Sequence, residues 1–496
     1  MTIPYEQVRR RLAEGPLVLA MDVGSTGTRG CLYDAHGRPV GKSIKVEHGF
    51  VTGDDGRSEI DADQVVGEIA QIIDGLTGHR TDEQIAGVAL DTFASSLIGV
   101  DGDGAAITAC YTYADARCAL QVGELRDQLD EPTVQQRTGT RLHTSYQAPR
   151  IKWLRRHQPD LVDRVATWMS LGEYIQFKLA GARAVSTPAA AWSGLLNRHT
   201  LTWDAELLAA CGESADRLQS IQHPGVPLVT DPELVARRWP GLRAAQWFPA
   251  VPDGLVSNIG TGATGVGTIG LTTATSGAMR VLTDSPVDKL PSGLWCYRVD
   301  DRLSLLGGAI NDVGRAFDWA RDVFRVPDDT AALDEILGAE PVLRTPAVVP
   351  FLTGERAPGW AAGATAVFGG VTVAASAQTL YRAVGEGVAV TYARVLEQLR
   401  EAPPEAKRII ASGGVVGAMP HLLQIMADTL ANPVEHAELK RATLRGTALL
   451  ALDTVAPDVE RASSPIIRTF RPRSAHATYY GALRRSFDRL YPTATG

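Results

Sequence analysis

LVLAMDVGSTGTRGCLYD, residues 17–34, is the stretch on which the fold turns. Its first five residues are apolar and read as a buried strand. The run stops at Asp22, passes through Val23-Gly24-Ser25-Thr26-Gly27-Thr28, and resumes as an apolar–polar alternation. A carboxylate at a strand end can face a metal ion, and glycines beside hydroxyls let backbone N–H groups approach anionic oxygens. The pattern predicts a turn that holds a magnesium-bound phosphate. No Gly-Lys-Ser/Thr follows, so it is not a Walker loop.

Outward from this strand, GCLYDAHGRPVGKSIKV predicts a hairpin turning at Asp34-Ala35-His36-Gly37. A helix is expected over 62–76, strands over 85–93 and 95–101, and helices within 145–180. Residues 1–16 read as a short amphipathic helix ending at Gly15-Pro16. A glycine-rich stretch, 254–270, breaks the pattern and is a candidate hinge. Beyond it the strand–turn–strand style returns at 270–284 and 303–311. A long amphipathic helix follows over about 376–400, stopped near Pro403-Pro404, and then a buried strand over 408–414. A strand that runs into a hydroxyl-and-glycine turn thus occurs twice, near 17–30 and near 270–278. Two α/β domains with a cleft between them is the expected architecture.

Composition narrows the function classes. The chain has 496 residues, 45% hydrophobic and 21% charged, with a formal net charge of -7. That charge gives no electrostatic case for nucleic acid or an anionic membrane. The five cysteines are scattered without a CxxC pair, so neither a disulfide framework nor a zinc site is expected, and a reducing cytoplasm fits. No apolar run reaches the roughly 18 residues of a membrane span.

Three further segments carry chemistry. Thr272-Thr273-Ala274-Thr275-Ser276-Gly277 is a second strand–hydroxyl–glycine turn. Two such turns, one from each domain, could clamp a polyphosphate. Ala411-Ser412-Gly413-Gly414 ends a buried strand in a double glycine, followed by spaced Gln424 and Asp428. Glycines there would let backbone lie flat against a base or ribose. Asp253, in PAVPDGLVSNIG, has the place of a general base: phosphoryl transfer to an alcohol needs a carboxylate to take the hydroxyl proton.

Together these motifs resemble the FGGY family of carbohydrate kinases, over about residues 17–455. PDGLVSNIG is similar to the Ser-Asp-Gly-x-x-Ala-Asn-Leu-Gly of its gluconate-kinase branch, and ATSGAMR to Gly-Thr-Ser-Gly-Ala-Ile-Arg. Phe351 to Trp360, FLTGERAPGW, resembles the Leu-x-Gly-Glu-Arg-Ala-Pro-x-Trp segment, and SLGEYIQFKLAG with SGLLNRHTLTWD follows the same branch. The resemblance implies two actin-like, ribonuclease H-like α/β domains with an ATP cleft between them. It divides the chain into an extension at 1–16, an N-terminal domain at 17–256 and a C-terminal domain at 257–496.

It also implies roles. ATP and Mg2+ would be the cofactors, with Asp22 and Asp253 at the metal. Gly24, Ser25, Thr26 and Thr28 would line the first phosphate turn, and Thr275, Ser276 and Gly277 the second. Gly413 and Gly414, with Gln424 shaping the pocket and Gly308 and Asn311 bordering it, would hold adenosine. Asp253 would be the general base. The partner would be a small sugar, sugar acid or polyol, in the cytoplasm, without nucleic acid or membrane; a homodimer is compatible with it. A xylulose or other ketose kinase, a non-catalytic sugar- or nucleotide-binding regulator and a motor-type ATPase are the alternatives.

Four positions depart from the family pattern. Ala94 and Ser95 stand where relatives carry an aromatic or Met followed by His, which predicts a wider acceptor pocket and an acceptor bulkier than gluconate. Ala274 replaces the glycine of the second turn. Arg150 replaces a frequent lysine, with the charge kept.

Overall fold

The computed structural model describes residues 3–78, 85–285, 287–342, 344–402 and 406–496. They form two compact units. The first comprises Met1–Gly260, Tyr297–Ser304 and Arg441–Ser463; the second comprises Thr261–Cys296, Leu305–Lys440 and Ser464–Gly496. The units therefore depart from a single division at 256/257. The physical reason is the helix Ala442–Val455, whose buried face packs on strands of the first unit's sheet.

In the first unit the sheet runs Gln246–Trp247, Ile85–Thr92, Leu17–Gly24, Gly27–Tyr33, Pro39–Glu47, with Val251–Pro252 also paired to Ile85–Thr92. Seven of the eight residues of Leu17–Gly24 are buried, as expected for an unbroken apolar run covered on both faces. The helix Ala62–Thr77 covers one face. It lies close because Gly30 has no side chain; a Cβ there would come within 2.3 Å of Ile72 Cγ2.

Residues 3–16 do not form the helix expected over 1–16. The segment has one 3-10 turn, Arg10–Leu12, and Val8 bridges Val40 through the Val8 N–H to Pro39 and the Gly41 N–H to Val8. So short a segment has little helical stability of its own, and the pairing across the chain prevails.

The glycine-rich stretch begins as a helix, Asp253–Gly260, buried along most of its length. It crosses Ala442–Val455 at backbone contact: a Cβ on Gly260 would lie 1.8 Å from the Ala442 carbonyl, and one on Gly446 1.9 Å from that of Val256. At 253–260 the glycines serve helix packing rather than a hinge.

The second unit repeats the local plan. Thr268–Thr273 is antiparallel to Gly277–Thr283 and parallel to Arg408–Ser412, as Leu17–Gly24 is to Gly27–Tyr33 and Ile85–Thr92. Its sheet order is Trp295–Arg298, Ser304–Ile310, Gly277–Thr283, Thr268–Thr273, Arg408–Ser412, Val434–Ala437, Ile466–Phe470. The helix Ala377–Arg400 is less one-sided than its pattern suggests, with every residue from Tyr381 to Ala393 buried. Its charges inside are paired: Arg382 Nε donates to Glu386 Oε1 at 3.0 Å. The stop at Pro403-Pro404 lies outside the described residues. Among the described residues, no helix is long and apolar enough to cross a membrane.

Candidate active site

Three carboxylates meet at the carboxyl ends of adjacent strands in the first unit. Asp22 and Asp91 are direct partners in the parallel pairing of Leu17–Gly24 with Ile85–Thr92. Val251–Pro252 pairs with Asp91–Thr92 on the other side, so the next residue, Asp253, emerges beside them. Carboxyl strand ends are the usual ligand edge of such sheets.

Asp22 is almost fully buried and accepts from Arg29 Nη2 at 2.7 Å and Thr443 Oγ1 at 2.6 Å, both on Oδ2. Asp91 is fully buried. Its Oδ2 accepts from Thr447 Oγ1 at 2.5 Å, and its Oδ1 has no partner among the described residues. Burial, then the neighbouring charge of Asp22 and more weakly that of Asp253, pushes the Asp91 carboxyl well above the usual carboxylate range. Thr443 and Thr447 are one turn apart on Ala442–Val455, so one helix face sets both acids. Asp253 opens its helix, where the positive end of the backbone dipole favours a carboxylate, and its Oδ1 accepts from the Gly254 N–H at 2.7 Å. The ionised members of this all-oxygen cluster suit a hard cation such as Mg2+. Asp22 and Asp253 are the residues that would hold it.

The first turn is two exposed residues, Ser25 and Thr26, between paired Gly24 and Gly27. Thr28 does not belong to its lining. It is fully buried and its hydroxyl donates to Glu68 Oε2 at 2.6 Å. Side chains alternate along a strand, and the antiparallel partner of Asp22 is Arg29. Arg29, not Thr28, shares the carboxylate face.

In the second unit, Ala274, Thr275, Gly314, Phe317, Tyr381 and Gly414 help to line a cavity of about 420 Å3. Thr275 and Ser276 are exposed at the turn. Ala274 is exposed and keeps a negative φ, so the turn does not require glycine there. Gly277 is buried, and a Cβ would fall 1.9 Å from the Tyr392 hydroxyl oxygen. Gly413 has φ of +120°, and a Cβ would lie 2.1 Å from the Thr273 carbonyl.

Three expected residues are not among those lining the cavity. Gly308 is a core glycine under Ala357 and Val395. Asn311 donates to the Thr353 and Gly354 carbonyls. Gln424 donates to Asp428 Oδ1 and the Arg471 carbonyl, at 3.0 and 2.9 Å. The apolar wall of Phe317, Leu333, Tyr381 and Met419 was not singled out from the sequence, because each reads as ordinary helix core. Glu355 of the Gly-Glu-Arg-Ala-Pro segment is structural: buried, it accepts from Tyr491 Oη at 2.5 Å.

Ala94 and Ser95 line a small cavity of the first unit with Thr92, Phe93, Gln147 and Trp192. Ser95 has φ of +60°, and its hydroxyl donates to the Trp192 carbonyl at 2.5 Å. Trp192 stacks on Tyr297 at 3.8 Å, and the Tyr297 hydroxyl meets that of Tyr146 at 2.7 Å. Arg150 is fully buried behind this wall and donates to the Ser95 carbonyl, so it acts on the cavity through the backbone.

Asp91 is the acid the sequence reading passed over. The signal was present: IAGVALD ends an apolar run on Asp as LVLAMD does.

Comparison with known proteins places the chain among carbohydrate kinases. The model for the N-terminal domain of the FGGY family of carbohydrate kinases matches residues 17–225, and that for its C-terminal domain matches 271–454. A gluconokinase from Bacillus licheniformis is 27% identical over 455 residues, 88% of this chain and 87% of the relative. A crystal structure of gluconate kinase from Lactobacillus acidophilus superposes with a TM-score of 0.90 at 26% identity, covering 97% of this chain and 98% of that one. A ligand-bound xylulose kinase from the same organism gives 0.89 at 26%, covering 96% and 98%.

Proposed function

This chain belongs to the FGGY family of carbohydrate kinases, and from that premise we propose that it phosphorylates a gluconate-like acceptor larger than gluconate, with Asp253 as general base. The class of reaction is that of the family: transfer of a phosphoryl group from ATP to an alcohol of a sugar or sugar acid. The observation that carries the finer reading is the meeting of Asp253 with Asp22 and Asp91 at one strand edge.

In this reading Asp253 takes the proton of the acceptor hydroxyl as its oxygen bonds to the terminal phosphorus of ATP. The bond from that phosphorus to the bridging oxygen breaks, and ADP leaves. Asp253 opens a helix, so its carboxylate is stabilised in the form that can accept a proton. Arg29 and Thr443 hold Asp22 in one orientation. Mg2+, held by Asp22 and Asp253, would neutralise the phosphate charge. Gly24, Ser25 and Thr26 offer backbone and hydroxyl donors in the first unit, and Thr275, Ser276 and Gly277 offer them in the second. The cavity beside Thr275 and Gly414 has the apolar walls a purine base needs. Five free, buried cysteines agree with a cytoplasmic setting.

The support for a larger acceptor is the small side chains at Ala94 and Ser95; the cavity beside them measures about 10 Å3, so such an acceptor requires it to open. A panel of aldonates, polyols and ketoses, with ADP release as readout, tests it. A larger or substituted aldonate should be turned over well above gluconate. Ordinary efficiency with gluconate or xylulose refutes that part. A xylulose kinase is the second reading, supported by the likeness to the L. acidophilus enzyme.

A further inference from the structure

We propose that His48 is a positioning residue for the nucleotide-phosphate turn, acting through the carbonyl of Gly24. The inference rests on the kinase reading above and adds a residue to it.

The His48 side chain is fully buried, immediately beyond the strand Pro39–Glu47. Both ring nitrogens are engaged. Nε2 lies 2.8 Å from the Gly24 carbonyl oxygen, and Nδ1 lies 2.7 Å from Glu68 Oε2. A carbonyl oxygen only accepts, so Nε2 carries a proton toward Gly24. Glu68, on the helix Ala62–Thr77, is itself fixed. Its Oε2 also accepts from Thr28 and its Oε1 accepts from Gln64 Nε2 at 2.9 Å. Helix, hairpin and turn are thus joined in one chain of bonds, Gln64, Glu68, His48, Gly24, buried at Glu68 and the His48 ring and open to solvent at Gln64, with Thr28 tied to the same carboxylate.

The consequence follows from peptide geometry. In a trans peptide the C=O of one residue and the N–H of the next point in opposite directions. Holding the Gly24 carbonyl toward His48 therefore turns the Ser25 N–H the other way, outward at the exposed tip. An N–H so directed is what an anionic oxygen needs from a glycine-bounded turn. The pairing of Gly24 with Gly27 fixes the base of the turn, and His48 adds a side-chain bond to the carbonyl that leads into its tip. Thr28, expected at the phosphate, does its work here instead.

Three substitutions separate this role from simple packing. His48→Gln keeps a nitrogen near the place of Nε2, and so the bond to Gly24. His48→Asn keeps one near the place of Nδ1, and so only the bond to Glu68. His48→Leu keeps neither. The readouts are the Kd of Mg-ATP by calorimetry and separate KM values for ATP and acceptor. The Leu and Asn variants should bind Mg-ATP about tenfold more weakly, as expected for one lost buried hydrogen bond. The Gln variant should stay within about threefold, and the acceptor KM should hold in all three. Equal effects of Gln and Asn, or an acceptor KM that rises with that of ATP, overturn the inference. If the wild-type protein binds Mg-ATP but phosphorylates nothing in the panel, the acceptor reading fails, and the Kd values alone decide the role of His48. A wild-type protein that binds no Mg-ATP overturns both.

Discussion

The two strand–glycine turns, at Gly24–Gly27 and Thr273–Gly277, are built on one plan and equipped differently. Each closes an antiparallel hairpin whose first strand is parallel to a later one. At the first, the parallel partners near the strand end are Asp22 and Asp91. At the second they are Thr272 and Ser412, and Leu271 and Ala411. Charge is concentrated at the first turn, with hydroxyl and threonine clamps from Ala442–Val455 around it. The second turn has no carboxylate at these positions: Tyr392 Oη donates to the Thr272 carbonyl at 2.7 Å, Arg280 Nη1 to Thr272 Oγ1 at 3.2 Å, and the Val416 N–H to Thr273 Oγ1 at 3.3 Å. The difference teaches that one hairpin plan can serve metal and proton chemistry or simply grip a ligand, according to the residues at two or three register positions.

The largest effect should come from the charged side. Asp253→Asn is expected to lower kcat about 10²–10⁴-fold, the range for a lost general base. Mg-ATP affinity should change far less. Equal losses in kcat and affinity would dissolve the division of labour. Thr443→Val removes a hydrogen bond that orients Asp22. It should raise the Mg2+ concentration for half-maximal rate about 10–100-fold, the usual cost of an outer-sphere partner. A magnesium titration reads it.

On the neutral side the expected effects are conformational. Gly413→Ala forces a Cβ into the Thr273 carbonyl at φ of +120°. It should cost about 1–3 kcal/mol in stability and raise the KM for ATP but not for acceptor. Denaturant unfolding and initial rates check both halves.

Asp91→Asn sharpens the comparison through pH. The raised folded-state pKa means that the native protein holds this proton more tightly than the unfolded chain. The stability this gives is fully present below the unfolded carboxylate pKa, and is lost as pH rises through the folded value. Asparagine mimics the neutral acid at every pH. The variant, without metal or nucleotide, should melt higher than wild type at alkaline pH, and the gap should narrow in acid. A constant gap from pH 4 to 9 would mean that Asp91 is not held neutral. Ala274→Gly should be smallest: with a negative φ and an exposed methyl, KM for ATP should stay within about twofold and stability within about 1 kcal/mol.

Legibility followed locality. Asp22, the two glycine turns and the helix Ala62–Thr77 came from runs of a few residues, where period and turn chemistry are local properties. Thr28 was misplaced because the motif names residue types, whereas strand parity sends Thr28 to Glu68 and Arg29 to Asp22. Gln424 looked spaced for a ligand. Its partner, the Arg471 carbonyl, lies 47 residues on. Gly308 was expected to border the adenosine pocket and is instead a close approach between packed elements.

By itself the sequence determined the family, the class of reaction, and the two strand–turn–strand units, because these are encoded in contiguous patterns of apolar, small and acidic residues. Only the tertiary structure set Asp91 in register with Asp22, returned the helix Ala442–Val455 to the first unit's sheet, and turned His48 onto Gly24. Each joins residues distant in the chain, and such pairings are selected by strand register and helix packing over the whole unit rather than by any local run of residues.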